Sequence, residues 1–218
     1  RCGLSPPEIS GCWSNERRGS TCFLRLHPAR SEGNSGCQIM TEDMQSRMGA
    51  LAEALPYIQK YRGQTFVIKY GGSAMEDDAV VAGMLHDVVF LEAVGINPVL
   101  IHGGGKAITQ RMAEAGVQAR FCNGLRVTDS TSIRIVEDTL DGVINPSIVR
   151  HLIGAGGRAV GIPGKRVLMG RRLPLQKEGG QEVDLGFVGE VVEVNLDEVE
   201  RVIAAEAVPV ISPLARDA

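Results

Sequence analysis

Three consecutive glycines end an apolar run in the segment 98–106, which reads Pro-Val-Leu-Ile-His-Gly-Gly-Gly-Lys. The apolar residues predict a buried strand. The glycines Gly103, Gly104 and Gly105 leave backbone N–H groups uncovered where a helix is expected to begin, and such loops bind phosphates and other anions. The same pattern is also compatible with a plain tight turn. His102 is either an acid or base at this site or a residue that holds the turn.

A second segment with the same order of features lies earlier in the chain. Residues 65–73 read Thr-Phe-Val-Ile-Lys-Tyr-Gly-Gly-Ser, a β-rich run that ends in Gly71 and Gly72. Carboxylates at positions 76–78 then suit the first turn of a helix. Two parallel strands of this kind place both glycine loops at the carboxyl edge of a sheet, where α/β proteins bind ligands. Lys69 is expected at the mouth of that crevice.

A guanidinium group follows the next turn signal. The dipeptide Asn123-Gly124 lies between two β-forming runs and predicts a two-residue hairpin. Arg126 comes just after this turn, where its planar fork of donors can reach toward the crevice. Asp129 then predicts the N-cap of a helix, and a further helix is expected around residues 144–153. Cys122 is interpreted as a small packing residue.

The elements that position these groups belong to an α/β protein. The chain has 218 residues, 44% hydrophobic content and a net charge of −3, so it can bury a substantial core and has no bulk attraction for nucleic acid. No apolar run approaches the roughly 20 residues needed to cross a bilayer. We therefore expect one globular domain with a mainly parallel sheet, located in the cytoplasm, with neither a nucleic acid nor a membrane as partner.

Residues 1–39 differ in composition from the remainder of the chain. They hold four of the five cysteines and five arginines but no lysine, and they show no strand or helix periodicity. Three interpretations compete: a disulfide-rich module, a targeting peptide, or translated sequence upstream of the true start. The cysteine spacings match no zinc pattern. The third interpretation is favoured because Met40 opens the ordered pattern, so the segment is expected to be a disordered or artefactual leader.

Residues 40–62 predict an amino-terminal helix. Its apolar residues recur every three or four positions and form one stripe: Met44, Met48, Leu51, Leu55 and Ile58. Thr41 is the predicted N-cap, and Pro56 predicts a kink or a break near Leu55. The stripe either packs on its own domain or contacts a partner chain.

Three strings in the chain resemble the acetylglutamate kinases of the amino acid kinase family. They are Val67-Ile68-Lys69-Tyr70-Gly71-Gly72, then His102-Gly103-Gly104-Gly105, and Asn123-Gly124-Leu125-Arg126-Val127-Thr128-Asp129. The likeness runs from about Glu53 to the last residues. It implies a three-layer αβα sandwich with a mainly parallel central sheet. It also implies that residues 63–218 are the substrate-binding lobe, truncated at the carboxyl end before the part of the fold that binds the nucleotide.

The resemblance implies a phosphoryl transfer from ATP, with Mg²⁺, to the side-chain carboxylate of N-acetyl-L-glutamate in arginine biosynthesis. By motif match, Lys69 stabilises the transferring phosphoryl group and Arg126 holds the α-carboxylate of the substrate. Gly104 and Gly105 bind the substrate through their backbones, while Gly71, Gly72 and Gly103 form a phosphate loop. No metal-ligating side chains are predicted, and most of the nucleotide site is expected outside this chain.

The resemblance also bears on assembly and on departures from the pattern. Members inhibited by arginine have an extra amino-terminal helix that builds a hexamer, so we expect a hexamer rather than a dimer, with Tyr57 near an arginine effector. Pro163 and Arg166 stand where the family usually has a hydroxyl and a carboxylate, so that loop is expected to be altered. Two alternatives stay open: another amino acid kinase, or a non-catalytic module that binds N-acetylglutamate or another amino acid.

Overall fold

The computed structural model describes residues 38–75 and 77–218. The expected leader, apart from its last two residues, and the expected acid at position 76 lie outside the described residues. Contacts divide the chain into two units, Arg1–Arg47 and Met48–Ala218. In the first unit, the described residues 38–47 are helical.

The first half of the described chain alternates helices with strands. Its elements are α1 (Gln38–Tyr61), β1 (Thr65–Tyr70), a 3-10 turn (Gly72–Met75), α2 (Asp78–Ala93), β2 (Asn97–His102), α3 (Gly105–Glu114), β3 (Arg120–Cys122), β4 (Leu125–Val127), α4 (Ser130–Thr139), a π-helical turn (Leu140–Ile144) and α5 (Asn145–Gly154). The second half consists of β5 (Ala159–Ile162), a 3-10 turn (Gly164–Arg166), β6 (Leu168–Arg172), β7 (Gln176–Glu178), β8 (Gln181–Val183), β9 (Gly189–Val194), α6 (Asp197–Ala204), β10 (Val208–Ile211) and β11 (Arg216–Asp217).

The central sheet has four parallel strands in the order β1-β2-β10-β5. Its two inner strands are buried, with Leu100 in β2 and both Val208 and Val210 in β10 fully inaccessible. Unbroken apolar runs suit strands that are covered on both faces. The buried strand expected at residues 98–102 is therefore confirmed, whereas β1 forms an edge of this sheet.

Helices cover both faces of the sheet. On one face, α2 and α5 pack against β2 and β10 through residues such as Leu85, Val88 and Leu152, and the same apolar cluster includes residues of α3 and α4. On the other face, α6 contributes Val199 and Val202 to a second cluster. The predicted three-layer αβα arrangement with a mainly parallel sheet is confirmed.

Smaller sheets extend this framework. β3 and β4 form the expected antiparallel hairpin, with Asn123 at φ 51° and Gly124 at φ 80° in the two-residue turn. These positive φ values explain the Asn-Gly pair, because few other residues adopt them at low cost. β7 and β8 form a second hairpin, and β6 lies between β9 and β11 in a three-stranded sheet.

Helix α1 corrects two expectations. It begins at Gln38, so Thr41 lies inside the helix and is not its N-cap. Residues 38–40 include no glycine or proline, which lets the helix start earlier than the predicted boundary at residue 40. Of the predicted kink or break near Leu55, the break is wrong, because the helix continues through Pro56 to Tyr61 without the N–H donor that proline lacks, and the kink stays a prediction.

Three residues in the apolar stripe of α1 are exposed in the described part of the chain. Met48 is 66% exposed, Leu51 60% and Leu55 51%. Within residues 38–75 and 77–218 these three side chains are therefore left largely uncovered, and the choice between the two expected alternatives stays a prediction. Large apolar side chains in a row on one exposed helix face are typical of a contact surface.

Two junctions near the glycine loops contain helical turns that the sequence did not predict. Gly72 leads into a 3-10 turn, and α2 begins only at Asp78, with Asp77 as its N-cap. Asp129 caps α4 as expected, accepting hydrogen bonds from the backbone N–H groups of Thr131 and Ser132. The helix expected around residues 144–153 is α5, but the π-helical turn joins it to α4 without an intervening loop.

Candidate functional site

The two glycine loops meet at the carboxyl edge of the central sheet. β1 and β2 run in parallel register, with Tyr70 opposite His102. The N–H of Gly103 donates to the carbonyl oxygen of Tyr70 at 2.7 Å. A Cβ atom on Gly71 would lie 3.5 Å from the Gly103 nitrogen, so the two loops touch through their backbones. This contact forms one continuous surface of peptide groups.

Helix α3 begins inside the second loop. Gly104 is its N-cap residue and offers no side-chain cap, and Gly105 is its first residue. The first N–H groups of a helix have no intrahelical acceptor, so they are available to an anion. At Gly104 a Cβ atom would lie 2.5 Å from Ile144 Cδ1 and 2.8 Å from Leu140 Cδ2. The absence of a side chain at Gly104 therefore permits the π-helical turn to pack against the loop.

Arg126 lies against the first turns of α3. One guanidinium nitrogen, Nη2, donates to Thr109 Oγ1 at 2.7 Å and to the carbonyl oxygen of Gly105 at 3.1 Å. The guanidinium also lies 4.7 Å from the centre of the Phe121 ring, a cation–π contact across the β3–β4 hairpin. Burial lowers the pKa of Arg126 from its ordinary value, and the group stays charged because that value is so high.

The guanidinium of Arg126 therefore lies at the N-terminus of α3, which has no side-chain cap. Arg126 and Gly105 are 21 residues apart in sequence, and the hairpin turn places them in contact. A guanidinium beside free backbone N–H groups is suited to a carboxylate or a phosphate group. Thr109, which orients the guanidinium, was not singled out from the sequence, since a threonine inside a helix carries no motif.

Lys69 and Gly72 lie on the β1 side of the same edge. Lys69 is exposed and pairs in register with Ile101, one residue before the buried Tyr70. Gly72 has φ +69° and no atom within 4 Å of a built Cβ position. Glycine at this position serves the backbone conformation rather than packing, and it leaves room for a ligand to approach the chain.

His102 is enclosed by the protein and is not an accessible acid or base. Its side chain is 1% exposed, and both ring nitrogens lie within hydrogen-bond distance of protein atoms, the carbonyl oxygen of Gly103 and the side chain of Asn145. Burial is the main reason why the pKa of His102 is lowered. Of the two expected roles, the one that holds the turn fits the structure.

Two side chains of the loop at residues 163–166 form ion pairs. Arg166 forms an ion pair with Glu198 of α6 at 2.9 Å, and Lys165 forms one with Glu137 of α4. The N–H of Gly164 donates to the buried Ser212 Oγ at 2.8 Å. The loop is thus held to α4, α6 and the end of β10.

The remaining expected site residue lies away from the glycine loops in sequence and is solvent-exposed. Tyr57, on α1, is 63% exposed.

In the described part of the chain, no group of three or more His, Cys, Asp or Glu side chains could hold a metal ion. No helix within residues 38–75 and 77–218 is long and apolar enough to cross a membrane.

A cavity of about 580 Å³ lies at the opposite edge of the sheet. Its lining includes Gly63, Asn97, Arg158 and Ala207, which stand at the starts of the four parallel strands. Arg158 bridges two carboxylates there, those of Glu92 and Glu206. Ligands of open α/β sheets bind at the carboxyl ends of the strands, so this cavity is not the candidate site.

Comparison with known proteins gives a consistent set of relatives. The profile of the Amino acid kinase family matches residues 64–218. The acetylglutamate kinase of Akkermansia muciniphila is 48% identical over 164 residues, which are 75% of this chain and 55% of that protein. The acetylglutamate kinase of Methanocaldococcus jannaschii is 46% identical over 181 residues, or 80% of this chain and 60% of that protein.

Solved structures give the same fold. The N-acetylglutamate synthase of Neisseria gonorrhoeae, solved with coenzyme A and N-acetyl-glutamate, has a TM-score of 0.64 and 25% identity over 78% of this chain and 38% of that one. The protein smu.665 of Streptococcus mutans has a TM-score of 0.61 and 26% identity over 71% of this chain and 60% of that one. The chain spans little more than half the length of the kinases it matches.

Proposed function

The chain belongs to the amino acid kinase family, and from this premise we propose that it is the substrate-binding part of an acetylglutamate kinase, an N-acetylglutamate 5-phosphotransferase. In that reaction the side-chain carboxylate of N-acetyl-L-glutamate attacks the γ-phosphoryl group of ATP and forms an acyl phosphate and ADP in arginine biosynthesis. Relatives that carry this name are 46% and 48% identical to the chain. The observation that carries the proposal is the guanidinium of Arg126 beside the first turn of α3.

Arg126 and the loop amides bind the α-carboxylate of N-acetyl-L-glutamate in this proposal. Thr109 and Phe121 hold the guanidinium in place from two sides, so less conformational entropy is lost when a carboxylate binds. Nη2 donates to two oxygen atoms at 2.7 and 3.1 Å and Nη1 donates to Met112 Sδ at 3.3 Å, so the second N–H of Nη1 and the Nε–H are the donors proposed for the ligand. The N–H groups of Gly104 and Gly105 supply further donors at the helix N-terminus.

Lys69 stabilises the transferring phosphoryl group. The residue is exposed and stands near the carboxyl end of β1, two positions before Gly71. Phosphoryl transfer asks for little covalent chemistry from a protein; it needs reactants placed in line and charge on the transferring oxygens neutralised. A lysine at this end of the strand can neutralise charge on the transferring oxygens. Gly71, Gly72 and Gly103 let the phosphate chain approach the backbone.

ATP with Mg²⁺ is the phosphoryl donor implied by the family. The described residues fit its phosphate end, because the touching glycine loops have no side chains in the way; the N–H of Gly103 itself is already donated to the Tyr70 carbonyl oxygen. Mg²⁺ usually binds through phosphate oxygens and waters with only one or two carboxylates, so a dedicated cluster of protein ligands is not required. Most of the nucleotide site is proposed to lie in sequence beyond this chain.

The exposed stripe of α1 supports a homo-oligomer, with a hexamer proposed over a dimer. Met48, Leu51 and Leu55 are each more than half exposed, and they form the kind of seam that another helix covers. Arginine feedback near Tyr57 and a cytoplasmic location belong to the same proposal.

Calorimetric titration of the 218-residue chain with N-acetyl-L-glutamate tests the proposed substrate. The matched ligand is 4-acetamidobutanoate, which keeps the acetamido group and the distal carboxylate but lacks the α-carboxylate. N-acetyl-L-glutamate is expected to bind at least about tenfold more tightly, since an Arg–carboxylate pair with its hydrogen bonds contributes roughly 1.5–3 kcal/mol. Equal affinities for N-acetyl-L-glutamate and 4-acetamidobutanoate would contradict the proposed α-carboxylate site. Tighter binding of L-aspartate or L-glutamate would indicate another kinase of the family.

A further inference from the structure

The buried ring of His102 is held in one protonation state by its two neighbours. Nδ1 lies 3.0 Å from the carbonyl oxygen of Gly103, and a carbonyl can only accept, so Nδ1 carries the proton. Nε2 lies 3.2 Å from the Nδ2 amide nitrogen of Asn145, which can only donate, so Nε2 is the acceptor. The surroundings therefore select the neutral Nδ1–H tautomer.

The orientation of the Asn145 amide is itself fixed. Its Nδ2 also donates to the carbonyl oxygen of Val210 at 2.9 Å, which identifies the nitrogen end of the amide. Its Oδ1 fills the space beside Gly161, where an added Cβ atom would overlap it. Asn145 is 5% exposed and stands at the start of α5, so it joins β5 and β10 to the end of β2.

The planar peptide group between Gly103 and Gly104 extends this constraint to Gly104. The carbonyl of Gly103 and the N–H of Gly104 belong to one planar peptide group, and in a trans peptide they point in opposite directions. Because the Gly103 oxygen is turned toward the buried ring of His102, the Gly104 N–H is turned away from it. The Cα of Gly104 is meanwhile packed against Leu140 and Ile144 of the π-helical turn. The peptide has contacts that fix it on both sides.

We propose that His102 is a positioning residue for the anion-binding loop: locked as its Nδ1–H tautomer by Asn145, it holds the Gly103 peptide so that the Gly104 N–H faces the bound substrate carboxylate. The proposal rests on the proposed function for the identity of that ligand. His102 neither contacts the substrate nor exchanges a proton with it. Its effect is on the affinity of the loop, because a donor that is already aligned loses no freedom on binding.

Two substitutions separate the hydrogen bond from the bulk of the ring. His102→Leu fills much of the same space but cannot donate to the Gly103 carbonyl. His102→Asn places an amide N–H on Cγ, where Nδ1 is attached in histidine, and so can restore that donor. We expect His102→Leu to weaken N-acetyl-L-glutamate binding by about tenfold or more and His102→Asn to stay within about threefold of the unchanged chain.

The control variant is Thr139→Val, which removes another buried hydrogen bond, from Thr139 Oγ1 to the carbonyl of Ile135, and leaves the hydrogen bonds of His102 and Asn145 in place. It is expected to lower the melting temperature and leave the affinity unchanged. If His102→Leu binds as tightly as the unchanged chain, or if the Leu and Asn variants are both folded and bind equally weakly, the positioning role is overturned.

Imidazole ¹⁵N chemical shifts of the ligand-free chain test the tautomer directly. The expected spectrum has a protonated Nδ1 and an unprotonated Nε2 for His102, and Asn145→Ala is expected to introduce the other tautomer. A protonated Nε2 in the unchanged chain would overturn the proposal whatever the ligand. If the tautomer is as expected but N-acetyl-L-glutamate does not bind the unchanged chain, the proposed function fails while the assignment of the Gly103 peptide stands.

Discussion

Gly104 and Gly105 are adjacent in the loop, and alanine at the two positions is expected to act in opposite directions. At Gly104 the new methyl group would lie 2.5 Å from Ile144 Cδ1 and 2.8 Å from Leu140 Cδ2. Both neighbours are buried, 8% and 2% exposed, so they must rearrange inside the core. At Gly105 nothing lies within 4 Å of the added atom, and the residue is already helical.

The magnitudes follow from these contacts. Overpacking a well-packed core costs about 1–3 kcal/mol, whereas replacing a compatible glycine by alanine stabilises by about 0.4–1 kcal/mol through the unfolded chain. Gly104→Ala should therefore lower the free energy of unfolding by about 1–2 kcal/mol, and Gly105→Ala should raise it by a few tenths to about 1 kcal/mol. In a chain of this size each kcal/mol moves the melting temperature by about 2–4 °C.

Scanning calorimetry of the unchanged chain and the two variants measures this difference. The variants should melt on opposite sides of the unchanged chain, with Gly104→Ala lower. Both variants replace glycine by alanine at adjacent positions, so the substitution affects the unfolded chain almost equally in the two. The difference between their melting temperatures therefore reports contacts in the folded state. Equal melting temperatures for the two variants would show that the π-helical turn does not pack on Gly104 as described.

Three further predictions concern the charged groups and α1. In the complete enzyme, Lys69→Ala should lower kcat by orders of magnitude and change KM for N-acetyl-L-glutamate little, since its charge is most useful in the transition state; steady-state kinetics in which kcat survives would remove this role. Arg126→Lys should weaken N-acetyl-L-glutamate binding by about 1–3 kcal/mol, because an ammonium group cannot reproduce a bidentate fork, and unchanged affinity by calorimetry would contradict the assignment. Deleting the residues before Tyr61 should convert a hexamer into dimers by light scattering, whereas the same mass per particle before and after deletion would exclude the α1 seam.

The stability of the fold should also depend on pH through His102. Its pKa in the folded chain is lowered below the ordinary value of about 6.5, so above that pH the ring is neutral in both folded and unfolded states. As the pH falls toward about 6.5 and below, the unfolded chain binds the proton before the folded chain does. The free energy of unfolding therefore decreases. Asp141 is a charged group that acts on the ring, and it opposes this effect in part. Melting temperatures between pH 7.5 and 5.5 should fall less in His102→Asn than in the unchanged chain.

Local signals account for the parts of the fold that the sequence predicted. The strand before Gly103 was predictable because an unbroken apolar run has few alternatives in a sheet covered on both faces. The hairpin was predictable because Asn123 and Gly124 tolerate the positive φ values that the turn requires. The meeting of the two glycine loops followed from the parallel direction of β1 and β2.

The parts that were missed depend on contacts between distant residues. Asn145 and His102 are 43 positions apart, and neither residue type signals the other. The π-helical turn at residues 140–144 is held where Leu140 and Ile144 meet Gly104, so its sequence alone reads as ordinary helix. The start of α1 was missed because Thr41 is a good N-cap residue, yet residues 38–40 contain no glycine or proline and are helical as well.

The most direct test of the central claim is an amide NMR titration of the 218-residue chain with N-acetyl-L-glutamate. The account predicts saturable shifts of the Gly104 and Gly105 amides and of the Arg126 side-chain signals, all with the same dissociation constant. It also predicts that 4-acetamidobutanoate leaves the Arg126 signals unchanged. Saturable binding that instead shifts Arg62 and Arg158 at the opposite edge of the sheet, with these three residues unaffected, would contradict the account.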